Sequence, residues 1–184
     1  MDPKSVKIVV AGGFGTGKTT LVGTVSEIPP LTTEEVLTQA SVGVDDVTGV
    51  EEKTNTTVAL DFGRITIDSD VVLYLFGTPG QDRFWFIWDE LSQGAVGAIV
   101  LIDTRRLDTS FSAIDYFERR EIPFVVAVNR FFGQCLYSDE EIRTALRLNP
   151  AVPLLWCDAR DRTSCKQALI ELVRHALSRL PIAG

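Results

Sequence analysis

The sequence predicts an α/β fold: one domain over residues 1–184, with a six-stranded, mostly parallel sheet, one antiparallel strand and helices on both faces. Three observations lead there. Short apolar runs alternate with helix-like stretches along the whole chain, the order that builds a parallel sheet wrapped by helices. Thr57–Ile67 and Val71–Phe76 are joined only by Asp68, Ser69 and Asp70, too few residues for a crossover helix, so those two strands pair antiparallel. A glycine-rich run from Gly12 to Thr19, of the form G-x-x-x-x-G-K-T, separates an apolar stretch from a helix-like one. A length of 184 residues suits a single core.

Taken in order, Val6–Ala11 (VKIVVA) is β-branched and apolar and reads as a buried strand. A helix follows Lys18. From Ser26 to Thr57 the chain carries Pro29, Pro30, scattered acids and many threonines, a long loop of the kind that is usually functional. Within it, Thr32 with Glu35 has the spacing to cap a short helix around Thr33–Ala40. The hairpin Thr57–Ile67 and Val71–Phe76 comes next, then a helix over Arg83–Ser92. On that helix Phe84, Ile87, Trp88 and Leu91 share a core face, whereas Trp85 and Phe86 project elsewhere. Strands at Gly97–Asp103, Phe124–Asn129 and Pro153–Cys157 alternate with helices at Phe111–Arg119, Asp139–Arg147 and Cys165–Leu180. Ser138 with Glu141, and Ser164 with Gln167, have capping-box spacing at helix starts. The last helix carries Leu169, Leu172, Val173, Ala176, Leu177 and Leu180 on one stripe, a core-packing pattern.

The glycine-rich run carries the chemistry. Glycines in a strand-to-helix turn let backbone N–H groups curl around a phosphate, and the helix N-terminus adds partial positive charge. The candidate phosphate-binding residues are Gly13, Phe14, Gly15, Thr16, Gly17, Lys18, Thr19 and Thr20. Lys18 reaches the β- and γ-phosphates, and Thr19 offers its hydroxyl to Mg²⁺.

Composition narrows the partners. With 25 acidic against 18 basic residues the net charge is −7, which disfavours nucleic acid as a partner. The three cysteines are odd in number and lack C-x-x-C spacing, so neither a disulfide framework nor a zinc site is expected. The longest apolar runs are too short to span a bilayer, and no lipidation signal is seen. A cytoplasmic protein is expected, with no direct membrane anchor.

On these residues the chain resembles a Ras/Arf-type small GTPase, a P-loop domain, and its flavour is most similar to bacterial MglA-type and conservon-type GTPases. The resemblance spans Val6 to Leu180. It implies that Thr57, leading into the second strand, or one of its neighbours Thr54 and Thr56, ligates Mg²⁺ and feels the γ-phosphate. Gly77-Thr78-Pro79-Gly80-Gln81 resembles the second switch, where Gly80 offers its N–H to the γ-phosphate and Gln81 orients the attacking water. Gly77 stands where the family usually has an aspartate that holds Mg²⁺ through water, and Asp61 or Asp103 is available to compensate. Asp103 could equally cap the loop that follows it. Phe14 replaces the family's usual small residue and implies slow hydrolysis.

In the base-binding half, Asn129 and Arg130 match the resemblance, with the Arg130 stem covering the base. Phe132 stands where an aspartate would pair with guanine. In Asp158-Ala159-Arg160 the Ala159 N–H is left to meet guanine O6. Arg64, Arg105 and Arg106 have no motif position and read as solvated surface.

The resemblance thus implies a regulatory GTPase with Mg²⁺ and GTP or GDP as ligands. Its expected partners are protein regulators, a roadblock-fold protein and membrane-associated signalling proteins among them. Gly77, Phe14 and Phe132 support a second reading, a nucleotide-holding interaction module with little turnover. A third is an ATP-using P-loop enzyme, favoured by the missing guanine-reading aspartate and opposed by the G-x-P-G-Q segment.

Overall fold

Strand β1 (Lys4–Ala11) forms the middle of the sheet, because its last four residues are fully excluded from solvent on both faces. The computed structural model describes residues 3–29, 31–38, 55–80, 85–133 and 135–181, with the side chains of 31–38 and 55–59 excepted. After β1 come α1 (Lys18–Val25), β2 (Leu31–Thr38), β3 (Asn55–Thr66), β4 (Val71–Gly77), α2 (Trp85–Ser92) and β5 (Ala95–Ile102). The chain continues through α3 (Phe111–Arg119), β6 (Phe124–Asn129), α4 (Asp139–Leu146), β7 (Leu154–Cys157) and α5 (Arg162–Ser178).

The sheet has seven strands in the order β2-β3-β4-β1-β5-β6-β7. β3 pairs antiparallel with both β2 and β4, and the remaining pairs are parallel, so β3 alone runs against the others. The α/β class and the short hairpin thus hold, with one strand more than the six expected. The extra strand is Leu31–Thr38, where capping-box spacing suggested a helix at Thr33–Ala40. Thr32, Thr33, Val36 and Thr38 are β-branched, and β3 offers an open edge that pairs from Leu31↔Phe62 to Thr38↔Asn55. Ladder pairing overrides a local cap signal. Residues 39–54, which complete the long loop, lie outside the described residues.

Alternation along the strands divides the core in two. Ile8 and Val10 face one layer with Leu21, Val22, Leu75, Ile99, Leu101 and Leu172, under α1 and α5. Val9 and Ala11 face the other with Trp88, Val100, Ile114, Phe117, Phe124 and Ile142, under α2, α3 and α4. Ile87, Trp88 and Leu91 are buried and Trp85 is exposed, as helical spacing predicts, while Phe84 lies outside the described residues. The Ser138–Glu141 capping box forms in full. For α5 the cap is Asp161, whose carboxylate accepts from the Ser164 N–H at 2.8 Å, so the helix starts earlier than Ser164 suggested. The helix ends at Ser178, short of the Leu180 expected: Leu169 and Leu172 are core, but Leu177 and, past the helix end, Leu180 are both 61% exposed.

The order of strands puts a topological switch beside β1. The chain leaves β1 towards β3 and β4, then crosses over to β5 on the other side. Loops after β1, β4 and β5 therefore meet at the carboxyl end of the sheet, where open α/β folds bind ligands.

Phe117 anchors the α3 layer, fully buried and in ring contact with Trp88, Tyr116 and Phe124. Phe117→Ala should cost about 3–5 kcal/mol of stability, read as a lower urea midpoint with an unchanged slope.

Candidate functional site

The loop between β1 and α1 is shaped by three glycines at positive φ: Gly12 (145°), Gly15 (74°) and Gly17 (103°). Gly17 shows why no side chain is allowed. A Cβ there would lie 2.6 Å from Asn129 Nδ2, in a backbone conformation that L residues rarely adopt. The turn delivers the chain into α1, whose first turn has no side-chain cap, so its N–H groups stay open to a ligand. Thr16 points inward and donates to the Gly13 carbonyl at 3.0 Å.

Lys18 is 8% exposed, and its ammonium donates to the Gly12 and Gly13 carbonyls at 2.8 and 2.6 Å. Of three N–H bonds, two are used within the loop and one is left. Burial pushes its pKa down to about 8, with the Asp61 carboxylate pulling the other way.

Thr19 donates to Asp61 Oδ2 at 2.6 Å. Asp61 on β3 sits opposite Gly77 on β4 in the antiparallel register. A Cβ on Gly77 would come within 2.9 Å of the Asp61 Cβ and 3.1 Å of its Oδ2. The bare glycine thus makes the space that the neighbouring strand's carboxylate fills. Asp103, the other carboxylate considered, is committed elsewhere. Only 1% exposed, it accepts from the Arg105 N–H and Nε–H at 2.9 Å and from Nη2 at 2.8 Å. Those bonds hold its pKa low against burial, which raises it. These bonds match the loop-capping alternative for Asp103.

Gly80 lies against the phosphate loop. A Cβ there would meet Phe14 Cα at 2.7 Å and Lys18 Nζ at 2.8 Å. Phe14 itself is 68% exposed. Thr20 is exposed on the first turn of α1, and Thr57 lies on β3, where only its backbone, paired with Val36, is described. Gln81 lies outside the described residues.

At the far end, Asn129 ties two loops together. Its Nδ2 donates to the Thr16 carbonyl at 2.9 Å, and its Oδ1 accepts from the Ala159 N–H at 3.1 Å. The Ala159 donor expected on guanine O6 is thus taken by Asn129. Arg160 grips Asp158 through Nε and Nη2 at 3.0 and 3.1 Å, which holds the Asp158 carboxyl below its ordinary range. Arg130 lies over the Trp156 ring, 5.6 Å from its centroid. Phe132 is 79% exposed in a left-handed conformation (φ 58°).

The structure also places a residue that sequence reasoning left as surface. Arg106, after β5, donates from Nη2 to the Phe14 carbonyl at 2.8 Å. Its nearest sequence signal is a pair of arginines directly behind a buried strand, which no motif singles out.

Residues 10–179 match the family model described as "Conserved hypothetical ATP binding protein". The chain is 32% identical to an uncharacterized protein of Methanocaldococcus jannaschii over 132 residues, 71% of this chain and 73% of that protein. It is 24% identical to the Ras-related protein Rab-32C of Dictyostelium discoideum over 185 residues, 94% of this chain and 74% of that protein.

Two expectations arise from this geometry. Asn129→Ala strands the Thr16 carbonyl and the Ala159 N–H in a buried region, at about 1–3 kcal/mol each if water does not reach them. Thermal unfolding should show the loss, and nucleotide affinity should fall with it. Lys18, with a folded pKa of about 8 against 10.5 in the free amine, carries fewer protons when folded. The apo protein should therefore gain stability as pH rises between those values. A bound phosphate favours the ammonium, so triphosphate affinity should be full below pH 8 and fall by up to about tenfold per unit above it. Calorimetry in two buffers of different ionisation enthalpy would register the proton taken up on binding.

Proposed function

The chain belongs to this family of P-loop nucleotide-binding proteins, and from that premise we propose that it is a regulatory, Mg²⁺-dependent GTPase. It binds GTP and GDP, hydrolyses GTP slowly, and changes its partner contacts with the nucleotide state. The observation that carries the reading is the packing of Gly80 on Phe14 and Lys18. A γ-phosphate entering beside Lys18 would have to meet the Gly80 backbone, which couples the loop after β4 to the nucleotide.

The oxygen set around Thr19 fits magnesium. A hydroxyl hydrogen-bonded to a carboxylate offers hard oxygens, and Mg²⁺ takes few protein ligands beside substrate phosphates and water. Thr19 would hold the ion with Thr57, and Asp61 would orient a bound water in place of the aspartate missing at Gly77. When bound, the ion neutralises charge on the β- and γ-phosphates. Gln81 would position the attacking water, and the exposed Phe14 side chain would slow turnover by crowding it. Trp85, 60% exposed on α2, is a natural contact for a partner such as a roadblock-fold protein, through which the chain would reach membranes.

A second reading, with ATP as the ligand, is favoured by one feature of the base end. No carboxylate stands at Phe132, and the Ala159 N–H is already paired. Nucleotide extracted from the purified protein and identified by chromatography decides between the two, and retention of neither nucleotide would sink both. Phe132→Asp should raise GTP affinity and sharpen its ratio over ATP, because an aspartate pairs two guanine donors that otherwise stay unmatched at about 1–3 kcal/mol apiece. An unchanged ratio by calorimetry would show that this loop does not read the base.

A further inference from the structure

Two arginines follow β5, and one buried carboxylate faces them. Arg105 takes up Asp103 completely, through its backbone N–H, Nε and Nη2. Arg106 keeps only a longer approach to the same carboxylate, 3.9 Å from Nε to Oδ2. One positive charge is therefore in surplus at this corner. It is directed at the phosphate loop, where Arg106 Nη2 donates to the Phe14 carbonyl at 2.8 Å.

The guanidinium is held there from both sides. Its own backbone is pinned, with its N–H on the Asp103 carbonyl at 2.9 Å and its carbonyl accepting the Thr109 hydroxyl at 2.8 Å. Across the loop, a Cβ on Gly15 would lie 3.0 Å from Nη2, so a bare glycine leaves the room for it. The side chain remains 46% exposed. A guanidinium carries five donors, and one neutral carbonyl does not saturate them.

We infer that Arg106 is an arginine finger supplied by the chain itself, reaching the β- and γ-phosphates of the bound triphosphate from the β5 side of the loop. The inference rests on the nucleotide-hydrolysing reading above. In the reaction, the oxygen of water bonds to the γ-phosphorus as the bond from that phosphorus to the β–γ bridging oxygen breaks. The electron pair leaves on the diphosphate, and the water proton ends on inorganic phosphate. Negative charge grows on the bridging and β-oxygens, where a fixed cation stabilises the transition state more than the ground state. Arg106 bonds the backbone of Phe14 and not its exposed side chain.

Single-turnover hydrolysis of Mg-GTP and Mg-ATP, and affinity for their non-hydrolysable analogues, test this in wild type, Arg106→Ala, Arg106→Gln and Arg106→Lys. Assembly of the nucleoside diphosphate with aluminium fluoride, with no partner protein present, is the third readout. The glutamine keeps a donor for the Phe14 carbonyl without the charge, and so separates loop bracing from charge stabilisation. Expected are a wild type that assembles the fluoride complex, and Ala and Gln variants that lose it. Their hydrolysis should fall at least about tenfold while affinity stays within about threefold. Full activity in Arg106→Gln would overturn the proposal, as would equal losses of rate and affinity or a wild type that binds nucleotide yet neither hydrolyses it nor assembles the complex. A wild type that binds neither nucleotide would instead overturn the nucleotide reading itself, and this inference with it. Should Arg106→Ala fail to fold by circular dichroism, the Gln and Lys variants carry the same comparison.

Discussion

A lysine ammonium almost wholly removed from water is the constraint around which the carboxyl end of this sheet is arranged. Such a group is tolerated only where its hydrogens are matched, because desolvation otherwise favours the neutral amine. Here the Gly12 and Gly13 carbonyls supply two partners. They can turn inward only because the loop passes through the left-handed glycines at 12, 15 and 17. The loop carbonyls thus match two of the three ammonium hydrogens. The nearby Asp61 carboxylate raises the Lys18 pKa against burial and keeps the charge in place.

At the same corner a carboxylate on β3 fills the space that a glycine leaves on β4. β3 and β4 are adjacent and antiparallel, so residues opposite each other in register put their side chains in one place. Asp61 and Gly77 are such a pair, and the carboxylate sits on β3 because the position on β4 is empty. Read along β4 alone the position is a bare glycine; read across both strands it holds a carboxylate hydrogen-bonded to the Thr19 hydroxyl. The base end behaves differently. Asn129 serves the protein first, linking the phosphate loop to the loop after β7.

The sequence carried the architecture wherever a pattern was dense. The β-branched apolar run VKIVVA, the three-residue connection from Asp68 to Asp70 and the glycine-lysine-threonine run each have one physical reading. They led directly to β1, the β3–β4 hairpin and the phosphate loop. Where two weak signals competed, the sequence misled. At Thr32 and Glu35 a cap pattern suggested a helix, and pairing with the β3 edge made a strand instead. Leu177 near the end of α5, and Leu180 just past it, follow the apolar spacing yet stay exposed.

What the sequence by itself determined is thus the local chemistry: which residues turn, which alternate, and which can hold a phosphate. Those depend on neighbours in the chain and on backbone freedom at glycine. Only the tertiary structure decided which carboxylate stands beside Thr19, which one Arg105 takes, and where Arg106 points. Each of these depends on strands and loops far apart in sequence that are brought together by the crossing of the chain around β1. Asp103, Arg105 and Arg106 lie within four positions of one another, yet one arginine covers a buried carboxylate and the other lies on a loop 92 residues away. No spacing rule separates them, because the difference is set by what the sheet places beside each side chain.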